Sequence, residues 1–191
     1  MRRYRIWLII ALVCTVLSLI GVYYIQSTPQ YSLYRTYAAA RAHDYPTFTK
    51  YVDVDSVATG AVERYLTTAE SAIEERWGNT RWGKFGVQIG RKVIRSAQPN
   101  VNNLVKTWIE NEVTSGNMME TTFKDVNLVV IFTKIEVQQE GDVADLKASI
   151  KQKPLHFKMR KMHDYWQIYD MDIDPTLVRS LIVPNVRDYR N

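Results

Sequence analysis

The stretch Val143–Ile173, VADLKASIKQKPLHFKMRKMHDYWQIYDMDI, is where the hydrophobic period of the chain becomes two. Ala144, Leu146, Ala148 and Ile150 alternate with polar residues; after Pro154, Leu155, Phe157 and Met159 alternate with His156, Lys158 and Arg160. Strict alternation puts one set of side chains on the core face of a half-buried strand. Gly141-Asp142 and His163-Asp164 read as turns, and Tyr165–Ile173 as the next strand. Upstream, Asn127–Gln138 opens as the continuous apolar run LVVIF, then alternates at Ile135 and Val137, and reads as a strand too. The result is a meander of three to four antiparallel strands.

The last strand contains a conflict. If Trp166 and Ile168 point into the core, alternation carries Asp170 and Asp172 in with them; if Tyr165, Tyr169, Met171 and Ile173 point in, Trp166 faces out. A bulge reconciles the two. Without one, Asp170 becomes a carboxylate in a concave pocket with a raised pKa, which makes it the catalytic candidate of this chain. The alternating acids Asp170, Asp172 and Asp174 do not make a calcium loop of the EF-hand type, because Pro175 and Leu181 stand where Gly and Glu are needed. Asp174-Pro175 instead starts a short helix, Thr176–Ile182.

Towards the N-terminus the pattern is helical. Tyr31–His43 is an Ala-rich helix broken at Asp44-Tyr45-Pro46. Asp55 or Ser56 caps the next helix, whose Val57, Ala61, Tyr65, Ala69, Ile73 and Trp77 recur every four residues. From Arg76 to Ile109 there is no acid. Arg76, Arg81, Lys84, Arg91, Lys92 and Arg95 are interleaved with Trp77, Trp82 and Phe85, and glycines keep part of the stretch mobile. Phe85, Ile89 and Val93 outline a short helix ended by Pro99-Asn100. Leu104, Val105, Trp108, Ile109 and Val113 outline another, closed near Gly116. Helices within 31–116 and a sheet within 123–173 spell α+β, with three to four helices on one face of a curved sheet and a short C-terminal helix.

Ahead of all this runs Ile6–Ile25, IWLIIALVCTVLSLIGVYYI, with no charged residue and no proline. About 20 apolar residues span a hydrocarbon core as a helix. Trp7 and Tyr23-Tyr24 sit where aromatic rings favour the two interfaces, and Arg2, Arg3 and Arg5 hold the N-terminus in the cytoplasm. The run is longer than a signal-peptide core and lacks small residues at its exit, which predicts an uncleaved anchor. The chain then divides into a basic tip (1–5), a transmembrane helix (6–25), a linker (26–30) and an extracytoplasmic domain (31–191).

Composition narrows the function. The three N-terminal arginines supply much of the formal charge of +5, so there is no clustered basic face of the nucleic-acid-binding kind. Cys14 is the only cysteine, which leaves the domain no disulfide and no thiolate metal site. His43, His156 and His163 lack metal-ligand spacing, and no phosphate loop or nucleophile elbow is present. No metal and no cofactor is expected. His156, Lys158 and Arg160 share the outward strand face with Lys147 and Lys151, a like-charge arrangement that costs stability unless an anionic partner meets it. With the acid-free stretch, this points to anionic lipid or another envelope polyanion.

The order of features resembles a family of small bacterial membrane-anchored proteins classed as a domain of unknown function. The residues that carry the resemblance are the Tyr-rich first helix, Tyr51-Val52-Asp53 before a long helix, Val113-Thr114-Ser115-Gly116, and a meander ending in Tyr165-Trp166-Gln167-Ile168. The ending also looks like a cystatin-like or nuclear-transport-factor-like roll. The resemblance implies an inner-membrane protein facing the periplasm and carries over no catalytic residues. The expected function is a single-pass, membrane-anchored binding or interaction domain of the bacterial envelope. Its binding pocket would be lined by Tyr65, Trp77, Leu146, Phe157, Trp166 and Tyr169. The alternatives are an enzyme using Asp170 and an assembly partner of another membrane protein.

Overall fold

The meander folds as a four-stranded antiparallel sheet in the order β1 (Glu136–Glu140), β2 (Val143–Ile150), β3 (Lys153–Lys161), β4 (Trp166–Met171). The computed structural model describes residues 2–77, 81–121, 128–150, 153–173 and 175–182, and among these the sheet is joined by eight helices. Leu146 pairs with Val137 and Phe157, and Met159 with Ala144 and Ile168. Period-two patterning thereby lines up one apolar face, on which Ala144, Leu146, Phe157, Met159, Trp166 and Ile168 are all buried. The architecture is α+β.

Helices cover that face. α1 (Arg2–Gln26) leads into α2 (Pro29–Arg41), capped by the Thr28 hydroxyl, which accepts from Tyr31 N–H. The Asp44-Tyr45-Pro46 break is also a start. The Asp44 carboxylate accepts from Thr47 N–H at 3.0 Å and Pro46 lies in the first turn, which opens α3 (Tyr45–Tyr51). α2, α3 and α4 (Val54–Trp77) all pack on β4. The cap of α4 is Asp53 rather than Asp55 or Ser56: its Oδ1 accepts from Ser56 N–H at 3.0 Å and its Oδ2 from the Ser56 hydroxyl at 2.7 Å. The inward face of α4 is wider than a four-residue stripe, with Val54, Val57, Ala58, Ala61, Val62 and Leu66 all buried. The Ile73 and Trp77 side chains lie outside the described residues.

Pro99 does not end a helix. α5 runs unbroken from Arg81 to Ser115 with Pro99 inside it, so Gly83, Gly86 and Gly90 are helical rather than mobile. An interior proline costs about 3 kcal/mol. The cost is offset by bonds to α4 from one face of α5 on both sides of Pro99. Arg95 donates to Glu70 at 3.1 Å, Gln98 to Glu63 at 3.1 Å and Asn102 to Thr59 at 3.3 Å. Beyond Pro99, Val101, Val105, Ile109 and Val113 repeat every four residues and are buried. Gly116 ends α5 with φ of +80°, the left-handed conformation glycine adopts without strain. α6 (Asn117–Thr121) follows.

The LVVIF run is a helix, not a strand. α7 (Leu128–Thr133) is closed by Lys134 N–H donating to Val130 O and by the Thr133 hydroxyl donating to Val129 O. A short apolar run has no period that separates strand from helix. Among the described side chains of α7 Ile131 is fully buried, while Val129 and Phe132 are exposed. The final helix, α8 (Pro175–Ile182), sets Val178 into the core against α4 and α5; Asp174 lies outside the described residues. Among the described residues no single helix is by itself long and apolar enough to cross a membrane. Ile10–Gln26 and Pro29–Arg41 pass only as a pair, bent by 73°.

Candidate functional site

The conflict in the last strand is resolved by a bulge. Met159 pairs with Ile168 and Lys158 with Asp170, so Tyr169 is the extra residue on β4. Trp166 and Ile168 stay in the core ahead of the bulge, and Met171 packs against it beyond, opposite Phe157. Asp170 is thereby turned out of the core towards α4. There the Arg64 guanidinium donates to Asp170 Oδ1 at 2.6 Å and to Met171 O at 2.5 Å. Lys158 Nζ stands 3.9 Å from Asp170 on the other side. Gly60 permits the approach, since a Cβ there would lie 3.3 Å from Asp170 Oδ1. With the bulge in place, Asp170 is an ion-paired brace between β4 and α4 rather than an unpaired carboxylate.

Beside this brace lies an open groove of about 530 Å³, lined by Asp55, Ser56, Thr59, Gly60, Glu63, Arg64, Tyr169 and Asp170. Its polar groups include hydroxyls, carboxylates and one guanidinium, with Arg64 paired to Asp170 and Asp55 to Lys106, and most of the surface it exposes is apolar. The six residues expected to line a pocket are dispersed. Leu146, Phe157 and Trp166 are packed into the solid core, Tyr65 is half-buried against it, and only Tyr169 reaches the groove. The Trp77 side chain lies outside the described residues. Sequence reasoning missed Arg64. The available signal was that it is the single basic residue between Val54 and Glu75, one turn after Gly60.

The outward sheet face is not a like-charge array. The register sets Lys158 opposite Asp145 and His156 opposite Lys147. His156 Nε2 lies 2.5 Å from Asp145 Oδ1, with Nδ1 3.6 Å from Asp172 Oδ2. Arg160 donates to Asp53 Oδ2 at 2.5 Å. Acids from neighbouring segments thus interleave with the cations, which the alternation of one strand could not reveal. Two cations of the acid-free stretch are likewise paired: α5 places Arg95 on Glu70, and Lys106 forms an ion pair with Asp55. Lys92 is exposed. The side chains of Arg76, Arg81, Lys84 and Arg91 lie outside the described residues. Among the described residues no group of three or more His, Cys, Asp or Glu side chains is placed to hold a metal ion.

Asp53 joins α4, β3 and β4. Besides capping α4 and pairing with Arg160, its backbone N–H donates to Ile168 O at 2.7 Å. Burial pushes its carboxyl up, but the Ser56 bonds and the Arg160 guanidinium outweigh this and hold it below the ordinary 3.8. A lowered carboxyl binds its proton later in the folded chain than in the unfolded one. Its contribution is therefore complete above the ordinary value and drains as pH falls through the folded value. Asp53→Ala is expected to cost about 1–2 kcal/mol at neutral pH, through the lost cap and ion pair. It also flattens the acid limb of stability. Urea midpoints at about pH 7 and about pH 3 check this: wild type loses more than the variant between them.

The junction of α1 and α2 is held from the sheet. Trp166 Nε1–H donates to Ser27 O at 2.8 Å, and Trp166 N–H donates to the buried Ser32 hydroxyl at 2.9 Å. Compared with protein-family models, with characterised proteins and with solved structures, the chain matches none. Its functional reading therefore rests on its own geometry.

Proposed function

We propose that the protein is a single-pass, membrane-anchored interaction module of the bacterial envelope, with α1 in the bilayer and the α+β body on the extracytoplasmic side. The observation that carries this reading is the state of α1. Its residues are apolar on every side, and those described stand exposed all round, with Trp7 at 71%, Leu12 at 66%, Leu17 at 62% and Ile20 at 59%. A helix that is hydrophobic all round requires an apolar surrounding, and its principal contact with the body is the start of α2. Ile10–Gln26 alone falls short of a bilayer, but α1 as a whole begins at Arg2, and Ile6–Ile25 gives a span of about 30 Å. Arg2, Arg3 and Arg5 orient the N-terminus inward.

In this reading the body recognises its partner through the open groove beside Arg64, and the four-stranded meander under helices belongs to a roll of the cystatin-like kind. An enzymatic role for Asp170 gains nothing from its geometry, because Arg64 and Lys158 already engage the carboxylate. The test is an alkaline phosphatase fusion after Asn191, expressed in a bacterium. Activity equal to an exported control supports the topology. An inactive fusion, with an active fusion in the reverse cytoplasmic reporter, overturns it.

A further inference from the structure

We propose that the outer face of α2, together with α7, is a lipid-contacting foot that seats the body on the membrane surface at the exit of α1. The inference rests on the reading of α1 as a membrane helix. α2 begins three residues after α1 and bends from it by 73°, so with α1 along the bilayer normal α2 runs nearly along the surface. The elbow is held to the sheet, because Trp166 bonds Ser27 within it and Ser32 in the first turn of α2, and to α1, because Ser27 N–H donates to Tyr24 O and Thr28 N–H to Ile25 O.

The body packs on the face of α2 that buries Ser32, Leu33, Thr36, Tyr37 and Ala40. A bilayer containing α1 cannot occupy the body's side. The opposite face of α2 therefore looks towards lipid, and it carries the partly buried Tyr31 and Tyr34, whose ring centroids are 6.0 Å apart, Tyr34 also packing against the edge of the core. Tyr34 in turn packs against Phe132 of α7 at 6.5 Å. α7 presents Phe132 at 48% and Val129 at 69% exposure, large apolar groups beside a row of tyrosines. Tyr23 and Tyr24 at the end of α1 add two more rings of the kind that settle at a membrane–water interface. On the flank of this face Arg35 and Lys50 sit over the Tyr51 ring at 5.8 and 5.6 Å, which sets two cations at headgroup level. The acid-free stretch is the less suitable lipid contact. α4 runs away from the elbow alongside β4, so the Glu70–Arg95 pair lies about 24 Å along it from Val54.

The test uses the full chain with Cys14→Ser, reconstituted into vesicles of phosphatidylcholine and phosphatidylglycerol. A single nitroxide is placed in turn at Leu17→Cys, Val129→Cys and Ala72→Cys. Val129 and Ala72 are both exposed, so neither substitution disturbs packing. Collisions with oxygen and with a water-soluble nickel chelate are measured for each. The foot predicts that the Leu17 label is shielded from nickel, the Ala72 label is open to it, and the Val129 label is severalfold less open than Ala72. A Leu17 label in lipid with Val129 as open as Ala72 overturns the foot and leaves the anchor standing; that is the pattern expected if a protein partner covers α7 instead. A Leu17 label open to nickel overturns the anchor, and the foot with it.

Discussion

Trp166→Ala is expected to destabilise the body by about 3–5 kcal/mol, a large share of the stability of a domain this size. Trp166 is 1% exposed and lies at the start of β4, where α2 and the sheet meet. Truncation leaves a cavity that close-packed neighbours such as Met159 and Ile168 cannot fill without strain. It also removes the indole bond to Ser27. In a chain of this length the loss corresponds to a fall in Tm of roughly 6–20 °C, read by circular dichroism of the full chain in detergent micelles. Trp166→Phe keeps much of the packing but loses the indole bond and part of the ring volume, so its cost should be smaller, about 1–3 kcal/mol. A cost below about 1 kcal/mol for Trp166→Ala would mean that the indole is not a packed core residue.

The second large effect lies in α1. Arg placed at Leu12 and Val16, one turn apart, adds about 5–7 kcal/mol to the cost of insertion, while the Ile, Leu and Val side chains of the helix together favour it by about 6 kcal/mol. The double variant is therefore expected to leave the membrane fraction on carbonate washing, where wild type stays. The body should fold unchanged, because Leu12 is exposed and makes no core contact.

The sheet was legible because its signal is local: alternation in Val143–Ile150 and Leu155–Met159 fixed which side chains are buried before any partner was known. The last strand shows how a contradiction can be informative, since Trp166 and Met171 could both face inward only across a bulge, and Tyr169 supplies it. The partner of Asp170 was not legible, because the bulge turns it towards Arg64, 106 residues earlier in the chain. The acids that meet the outward sheet cations, and those that meet Arg95 and Lys106 of the acid-free stretch, were not legible for the same reason. Asp145, Glu70 and Asp55 pair with His156, Arg95 and Lys106 across strand and helix pairs that no single segment encodes. LVVIF and Pro99 failed through tertiary override. Ile131 buried between the exposed Val129 and Phe132 suits one helical turn, and the bonds from α5 to α4 carry a helix through its proline. Ser32 gave no warning at all, because a serine in an Ala-rich helix reads as surface until the Trp166 backbone is found donating to it.

The natural cysteine offers the most direct test of the membrane reading. Cys14 lies in the middle of α1, exposed on the body's own account, and thiols react with maleimides as thiolates, which need water. Vesicles or intact membranes carrying the unaltered chain are treated with a water-soluble maleimide, with and without denaturing detergent. With α1 in the bilayer, Cys14 stays unlabelled until detergent is added and then labels fully. Labelling of Cys14 in untreated membranes at the rate of a free, water-exposed thiol would contradict the account.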